Sequence, residues 1–258
     1  MSGEIKIDDF GLLPDTFIMP RRSRRPGWVK NFQQRWALEK TRLRIKFWDF
    51  FQALACHTPF MIRPRLRARL SQIPHIAKDL HKTMYTHFAE GSLKPIEGIL
   101  CESMQASLNS RLRQRRPNTG LRWQLHKYLS PPKLMSYKVA ITSHGKDVTR
   151  DNRNALVQAV VRIHSLQSLQ HTKRVSGRDA NNKLYTKYLV VDLQGNELPP
   201  VEEGVIPDNA TESMEYVVVQ KHVRGGKEEP WKIWGMKEES TPEQIKVKSS
   251  SEEVPVRR

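Results

Sequence analysis

Cysteine is nearly absent from this chain: two thiols, Cys56 and Cys101, in 258 residues. Two isolated thiols build neither a disulfide framework nor a four-ligand metal site, and they fit a reducing compartment. Long apolar runs are missing too. The best of them, FWDFFQALA at 47–55, is interrupted by Asp49 and falls far short of the roughly 20 residues that span a bilayer. No glycine-rich phosphate loop exists; RGGKEEPW at 224–231 lacks the Ser/Thr and the following helix that such a loop needs. The histidines are scattered. His75, His81 and His87 stand six apart, so no two share a helical face as a metal pair would. His57, His126, His144 and His164 have no Cys or carboxylate at ligand spacing. They read as surface or internally satisfied groups, and no catalytic, metal or cofactor site emerges. The opening MSGEIKIDDFGLLPD reads as neither a secretory signal nor an Arg-rich transit peptide.

Negative charge is the other shortage. Asp and Glu number 27 against 44 Lys and Arg, a formal net charge of +17. From Arg21 to Leu70 the count is 14 basic to 2 acidic, whereas Val201 to Arg258 holds 9 basic and 12 acidic residues. Excess charge of one sign repels itself in a compact state, so an acidic partner is implied, nucleic acid first and an anionic membrane second. Concentration of that charge near one end reads as a basic binding arm on a more ordinary domain.

Residues 1–27, with Pro14, Pro20, Pro26 and three glycines, read as an extended lead-in that ends in the cationic knot RRSRR. Residues 28–55 read as a long helix with an apolar stripe of Phe32, Trp36, Leu43, Phe47, Phe50 and Leu54, flanked by basic residues. Such a stripe either packs on its own domain or meets an outside surface. The arginine-rich connector RPRLRARL closes the 28–71 segment. Pro74–Ala89 reads as a second helix, with Ile73, Ile76, Leu80, Met84 and Phe88 on one face. A third is expected from an N-cap at Ser92 to about Leu112, with Ile96, Leu100, Met104 and Leu108 inward. The period then changes to two. Strands are expected over 121–129, 133–143, 155–169, 182–193, 214–223 and 230–236, with Val157, Ala159, Val161 and Ile163 facing one way. Helices followed by strands, without alternation, give an α+β class: N-terminal helices on a curved, mainly antiparallel sheet. Residues 72–237 form this domain, and 238–258 read as a disordered charged tail.

LRWQLHKYLSPPKLMSYKVAI, VQAVVRIHSLQSL, MEYVVVQKHV and PWKIWGM occur in that order. Together they resemble the C-terminal domain shared by the inner-membrane anchor of the mitochondrial import motor and a mitochondrial large-subunit ribosomal protein. The shared signals are Trp123, SPPKLMSYK, Gln167, and Trp231 with Trp234–Gly235. GLLPDTFIMP followed by the basic-aromatic helix resembles the fungal member of the ribosomal group, an inner-membrane ribosome receptor. The resemblance implies a cone-shaped fold like that of nuclear-transport-factor domains. It implies a matrix-side protein, peripheral to the inner membrane, that holds the ribosome near the polypeptide exit for co-translational insertion. Its implied partners are mitochondrial ribosomal RNA and large-subunit proteins, the membrane surface and insertion machinery, and nascent chains. The start of the sequence departs from that pattern in showing no transit peptide.

On this reading the protein is a non-enzymatic adaptor. Arg21, Arg22, Arg24, Arg25, Arg35, Arg42, Arg44, Lys46, Arg63, Arg65, Arg67 and Arg69 are the expected RNA phosphate contacts, which position without reading sequence. Trp48, Phe50 and Phe51 are the expected membrane contacts, since an interfacial helix sets aromatics against a basic face. Two alternatives stand beside it: a peptide- or lipid-binding module of the import machinery, and a small enzyme with an active site in the cone. The enzyme needs an inward carboxylate–histidine pair, and the sequence shows none.

Overall fold

The computed structural model describes residues 11–57, 69–115, 119–142, 154–178, 184–191, 196–197, 206–225 and 227–241. Helices α1 (Phe32–His57), α2 (Ile73–Glu90) and α3 (Glu102–Arg113) precede strands β1 (Thr119–Ile141), β2 (Ala155–Arg178), β3 (Leu184–Val191), β4 (Thr211–Arg224), β5 (Lys227–Glu228) and β6 (Lys232–Met236). The class is α+β, with an open antiparallel sheet of six strands.

β2 is the spine. β1 pairs along its length from Ala155 to Lys173. On its other side β4 takes Ala155–Gln167 and β3 takes His171–Arg178. β6 and β5 pair in turn with β4. The fully buried Val157, Ala159, Val161 and Ile163 share one face with Val217 and Val219, and meet Ile73, Ala77, Met84 and Leu108 of the helices. Burying each valine, leucine, isoleucine or methionine among them contributes about 1.5–3 kcal/mol, so this layer is the main core.

Three elements differ from the sequence expectation. The strands expected at 121–129 and 133–143 are one, because register shifts flank Pro131 and Pro132 and take both out of the ladder. β1 has β2 as its one partner among the described strands, the edge position where proline is tolerated. The helix expected from Ser92 to Leu112 is a 3-10 turn, Lys94–Ile99, followed by α3. Between them the Cys101 amide donates to the Ile233 carbonyl at 2.9 Å, and Leu100 bridges Ile233. Ser92 caps no helix N-terminus. Its amide donates to the His87 carbonyl and, with Gly91 at φ 81°, closes the C-terminus of α2.

The opposite sheet face is also covered. Val160 and Val218 are buried there as completely as the core-side residues, because the lead-in lies across them. An extended chain sends alternate side chains to opposite sides. Ile18 therefore enters the sheet among Val160, Tyr216 and Val218, while Phe17 and Met19 point away and receive Leu38 of α1. The lead-in is a strap between sheet and helix, and α1 lies outside it.

Candidate functional site

The strap decides which way α1 faces. Its inward side carries Arg35, Leu38, Arg42, Ile45 and Asp49, spaced at three and four residues. Leu38 is fully buried against Phe17 and Met19. Asp49 accepts a hydrogen bond from Lys138 of β1 at 2.7 Å; burial pushes the Asp49 carboxyl above its ordinary range, against the pull of Lys138. A helix seated by Leu38, Ile45, Ala53 and ion pairs leaves its aromatics outside. Trp28, Phe32, Trp36, Leu43, Phe47, Trp48, Phe50 and Phe51 are each 45–68% exposed. They touch one another: Trp28–Phe32 and Phe32–Trp36 centroids lie 6.0 and 6.4 Å apart, and Phe47–Phe51 lie 4.6 Å apart. Within the described residues this stripe does not pack on its own domain. The expected membrane residues Trp48, Phe50 and Phe51 all belong to the exposed face. Five more large side chains extend it, and their spacing alone could not tell core from docking surface.

The basic residues divide into groups. Arg21 and Arg24 pair with Glu239 at 3.1 and 3.6 Å. Glu239 also accepts from the Tyr216 hydroxyl at 2.8 Å, and burial together with that carboxylate pushes the Tyr216 hydroxyl up to about 12. Ser240 donates its amide to the Ile18 carbonyl. The strap and the Lys237–Ser240 segment thus form a clasp, and ordered chain continues past the expected onset of the tail at 238. Arg35 is buried and Arg42 half-buried; both pair with Glu39 at 2.7 and 3.2 Å. Arg35 is therefore recessed behind the surface that Arg22 and Arg44 reach. Arg22, Arg44, Lys46 and Arg69 are exposed. Arg63, Arg65 and Arg67 lie outside the described residues.

Two clefts border this region. One, of about 550 Å³, lies between Leu13–Asp15, the Arg44–Gln52 stretch of α1 and Lys138–Ile141 of β1. The other, of about 510 Å³, lies between Arg21, Arg24 and the β4–β6 edge.

A carboxylate–histidine pair also exists, contrary to the sequence expectation. His81 Nε2 lies 2.8 Å from Glu215 Oε2, and the Tyr85 hydroxyl donates to Glu215 Oε1 at 2.5 Å. Gln167 hydrogen-bonds the same carboxylate and accepts from Trp123 Nε1 at 2.9 Å. Burial alone would raise Glu215, yet the His81 hydrogen bond and charge, with Tyr85 and Gln167, hold it below the usual range. Burial first, then the Glu215 charge, drives the Tyr85 hydroxyl upward. His81 is 0% exposed and stacks edge-on against Tyr85. The cluster ties α2 to β1, β2 and β4 from within the packing. No group of three or more His, Cys, Asp or Glu able to hold a metal occurs among the described residues. Cys101 is buried and free of any disulfide.

The site is thus a helix seated on its own chain by one side, with an aromatic face turned outward among basic residues. The family model described as MBA1-like protein matches residues 29–197, more than half of the chain. The chain belongs to this family, which carries a mitochondrial, membrane-associated, ribosome-related role. The match runs from α1 through β3. No curated protein matches the chain in sequence. Among the described residues no helix is long and apolar enough to cross a membrane.

Proposed function

We propose that this protein is a non-enzymatic adaptor of the mitochondrial large ribosomal subunit. It tethers the ribosome near its polypeptide exit to the matrix side of the inner membrane, for co-translational insertion. The observation that carries the reading is the exposed aromatic face of α1. Eight large side chains left 45–68% exposed forgo roughly half of the about 1.5–3 kcal/mol that full burial of each would give, and membership of a membrane-associated, ribosome-related family supports an outside surface as their partner.

The work divides between segments. The rings lie in the interfacial region of the bilayer, where aromatic side chains are favoured. The connector arginines Arg63, Arg65, Arg67 and Arg69, with exposed Arg22 and Arg44, contact ribosomal RNA phosphates. The His81–Glu215 pair serves packing, since the imidazole has no exposed surface and Glu215, which also lines the 510 Å³ cleft, spends its carboxylate on His81 and Tyr85.

Co-sedimentation with mitochondrial ribosomes across a salt series tests the RNA half. Attachment to the large subunit should fall steeply with salt, and Arg63, Arg65, Arg67 and Arg69 changed together to Gln should release the folded protein. Migration at the top of the gradient at every salt contradicts the reading.

The 550 Å³ cleft between α1 and β1 supports a second reading, a peptide-binding module of the import machinery. Presequence-peptide binding by the full chain that is lost when residues 1–70, and with them two of the three walls of this cleft, are removed would favour it.

A further inference from the structure

Arg25, Arg35 and Arg42 converge where the strap meets the first turns of α1, with Glu39 as the carboxylate between them. Glu39 takes Arg35 at 2.7 Å and Arg42 at 3.2 Å. Arg25 donates its Nε to the Pro20 carbonyl at 2.6 Å. Burial first, and then the charge of Arg35, depress the Arg25 guanidinium, with Arg42 and Arg22 adding to the effect. Arg35 is 8% exposed, and its Nε is buried without a hydrogen-bond partner. Each guanidinium carries five donors, more than one carboxylate can accept. Like charges gathered in a partly dry site repel strongly, and a second anion relieves that repulsion.

The location says which anion. The Arg35 guanidinium lies 5.3 Å from the centre of the Trp28 ring. Trp28 is half-exposed and begins the aromatic face through its contact with Phe32. When that face enters a membrane interface, the cluster lies at its rim, at the depth of the headgroups. A recessed site for one phosphate beside aromatic rings suits a single headgroup. An RNA backbone asks for a row of exposed cations.

We propose that Arg25, Arg35 and Arg42 bind the phosphate of an anionic phospholipid headgroup, at the N-terminal end of the exposed aromatic face of α1. The proposal rests on the membrane reading above and adds a lipid preference to it.

Flotation of the full chain with vesicles of phosphatidylcholine alone, and of phosphatidylcholine with cardiolipin, tests it. The wild type should bind the cardiolipin vesicles about tenfold more tightly. The double variant Arg25→Gln/Arg42→Gln should lose that preference and still bind neutral vesicles. Arg25→Lys/Arg42→Lys, which keeps the charge and disturbs the fold least, should retain part of it. Trp36→Ser/Phe47→Ser should weaken binding to both vesicles. A full cardiolipin preference in the Gln variant overturns the site, as does wild-type binding to both vesicles with no preference. Loss of RNA binding in the Gln variant, with vesicle preference intact, assigns the cluster to RNA and overturns it too. Wild-type binding to neither vesicle overturns the membrane reading itself.

Discussion

Arg21 and Glu239 stand 218 residues apart in sequence and meet at 3.1 Å, with the Arg21 amide donating to the second carboxylate oxygen at 3.2 Å. Through this contact the acidic end of the chain fixes the shape of its most basic end. Arg24 joins the same carboxylate and Tyr216 anchors it to β4, so the arginine knot is a held turn rather than a solvated tail. Its geometry, and the seat of α1 outside the strap, depend on Glu239.

Glu239→Gln should therefore loosen the strap. A buried carboxylate with this many donors is worth about 1–3 kcal/mol, which lowers the thermal midpoint by several degrees. Hydrogen exchange should quicken at Ile18 and Ser240 before it does in β2. Tyr216 adds a pH signature. Its folded-state pKa of about 12 lies above the ordinary value of 10.0, so the unfolded chain releases this proton first. Its contribution is present below pH 10 and is lost as pH rises towards 12. Tyr216→Phe should flatten that alkaline limb in a pH series of denaturation midpoints.

The His81–Glu215 pair predicts coupling at the acid end. Glu215 is held below its ordinary value of 4.5, so its contribution is present above that pH and is lost as pH falls through the folded value. Removing either partner alone strands a buried polar group, at a cost of about 3–5 kcal/mol. His81→Leu and Glu215→Gln together should cost less than the sum of the two single changes, with a coupling of about 0.5–3 kcal/mol in a double-mutant cycle. Strict additivity would mean that the pair does not act as a unit.

The two sides of α1 should respond oppositely. Leu38→Ala removes the leucine seated against Phe17 and Met19 and should cost about 2–5 kcal/mol at that contact. Limited proteolysis should then cut within Phe32–His57 while leaving the sheet whole. Phe47→Ser or Phe50→Ser, on the exposed side, should stay within about 0.5 kcal/mol of wild type and improve solubility. Destabilisation by the exposed-side changes would mean that the stripe packs on its own chain.

The class of fold was legible because the period changes from 3.6 to 2 near Leu121, and because Val157, Ala159, Val161 and Ile163 alternate cleanly. The direction of α1 was not. Its packed side is Arg35, Leu38, Arg42, Ile45 and Asp49, which hydrophobicity reads as solvent-facing. Its free side is aromatic and reads as core. The strap, whose Phe17 and Met19 seat Leu38, and β1, whose Lys138 takes Asp49, settle the matter, and both are tertiary facts. His81 escaped because its partner lies 134 residues away on a strand. One local cue existed: Ile73, Ala77, His81 and Met84 follow helical spacing more closely than a face drawn through Ile76 and Leu80. The prolines of β1 looked like a strand end because a register shift at an edge leaves no mark in composition.

Tethering is the central claim, and flotation of purified mitochondrial large ribosomal subunits with cardiolipin-containing vesicles tests it most directly. The account predicts that subunits stripped of this protein stay at the bottom, that adding the protein carries them up with the vesicles, and that Trp48→Ser/Phe50→Ser/Phe51→Ser leaves them below. Subunits that float equally well without the protein, or with the aromatic variant, would contradict it.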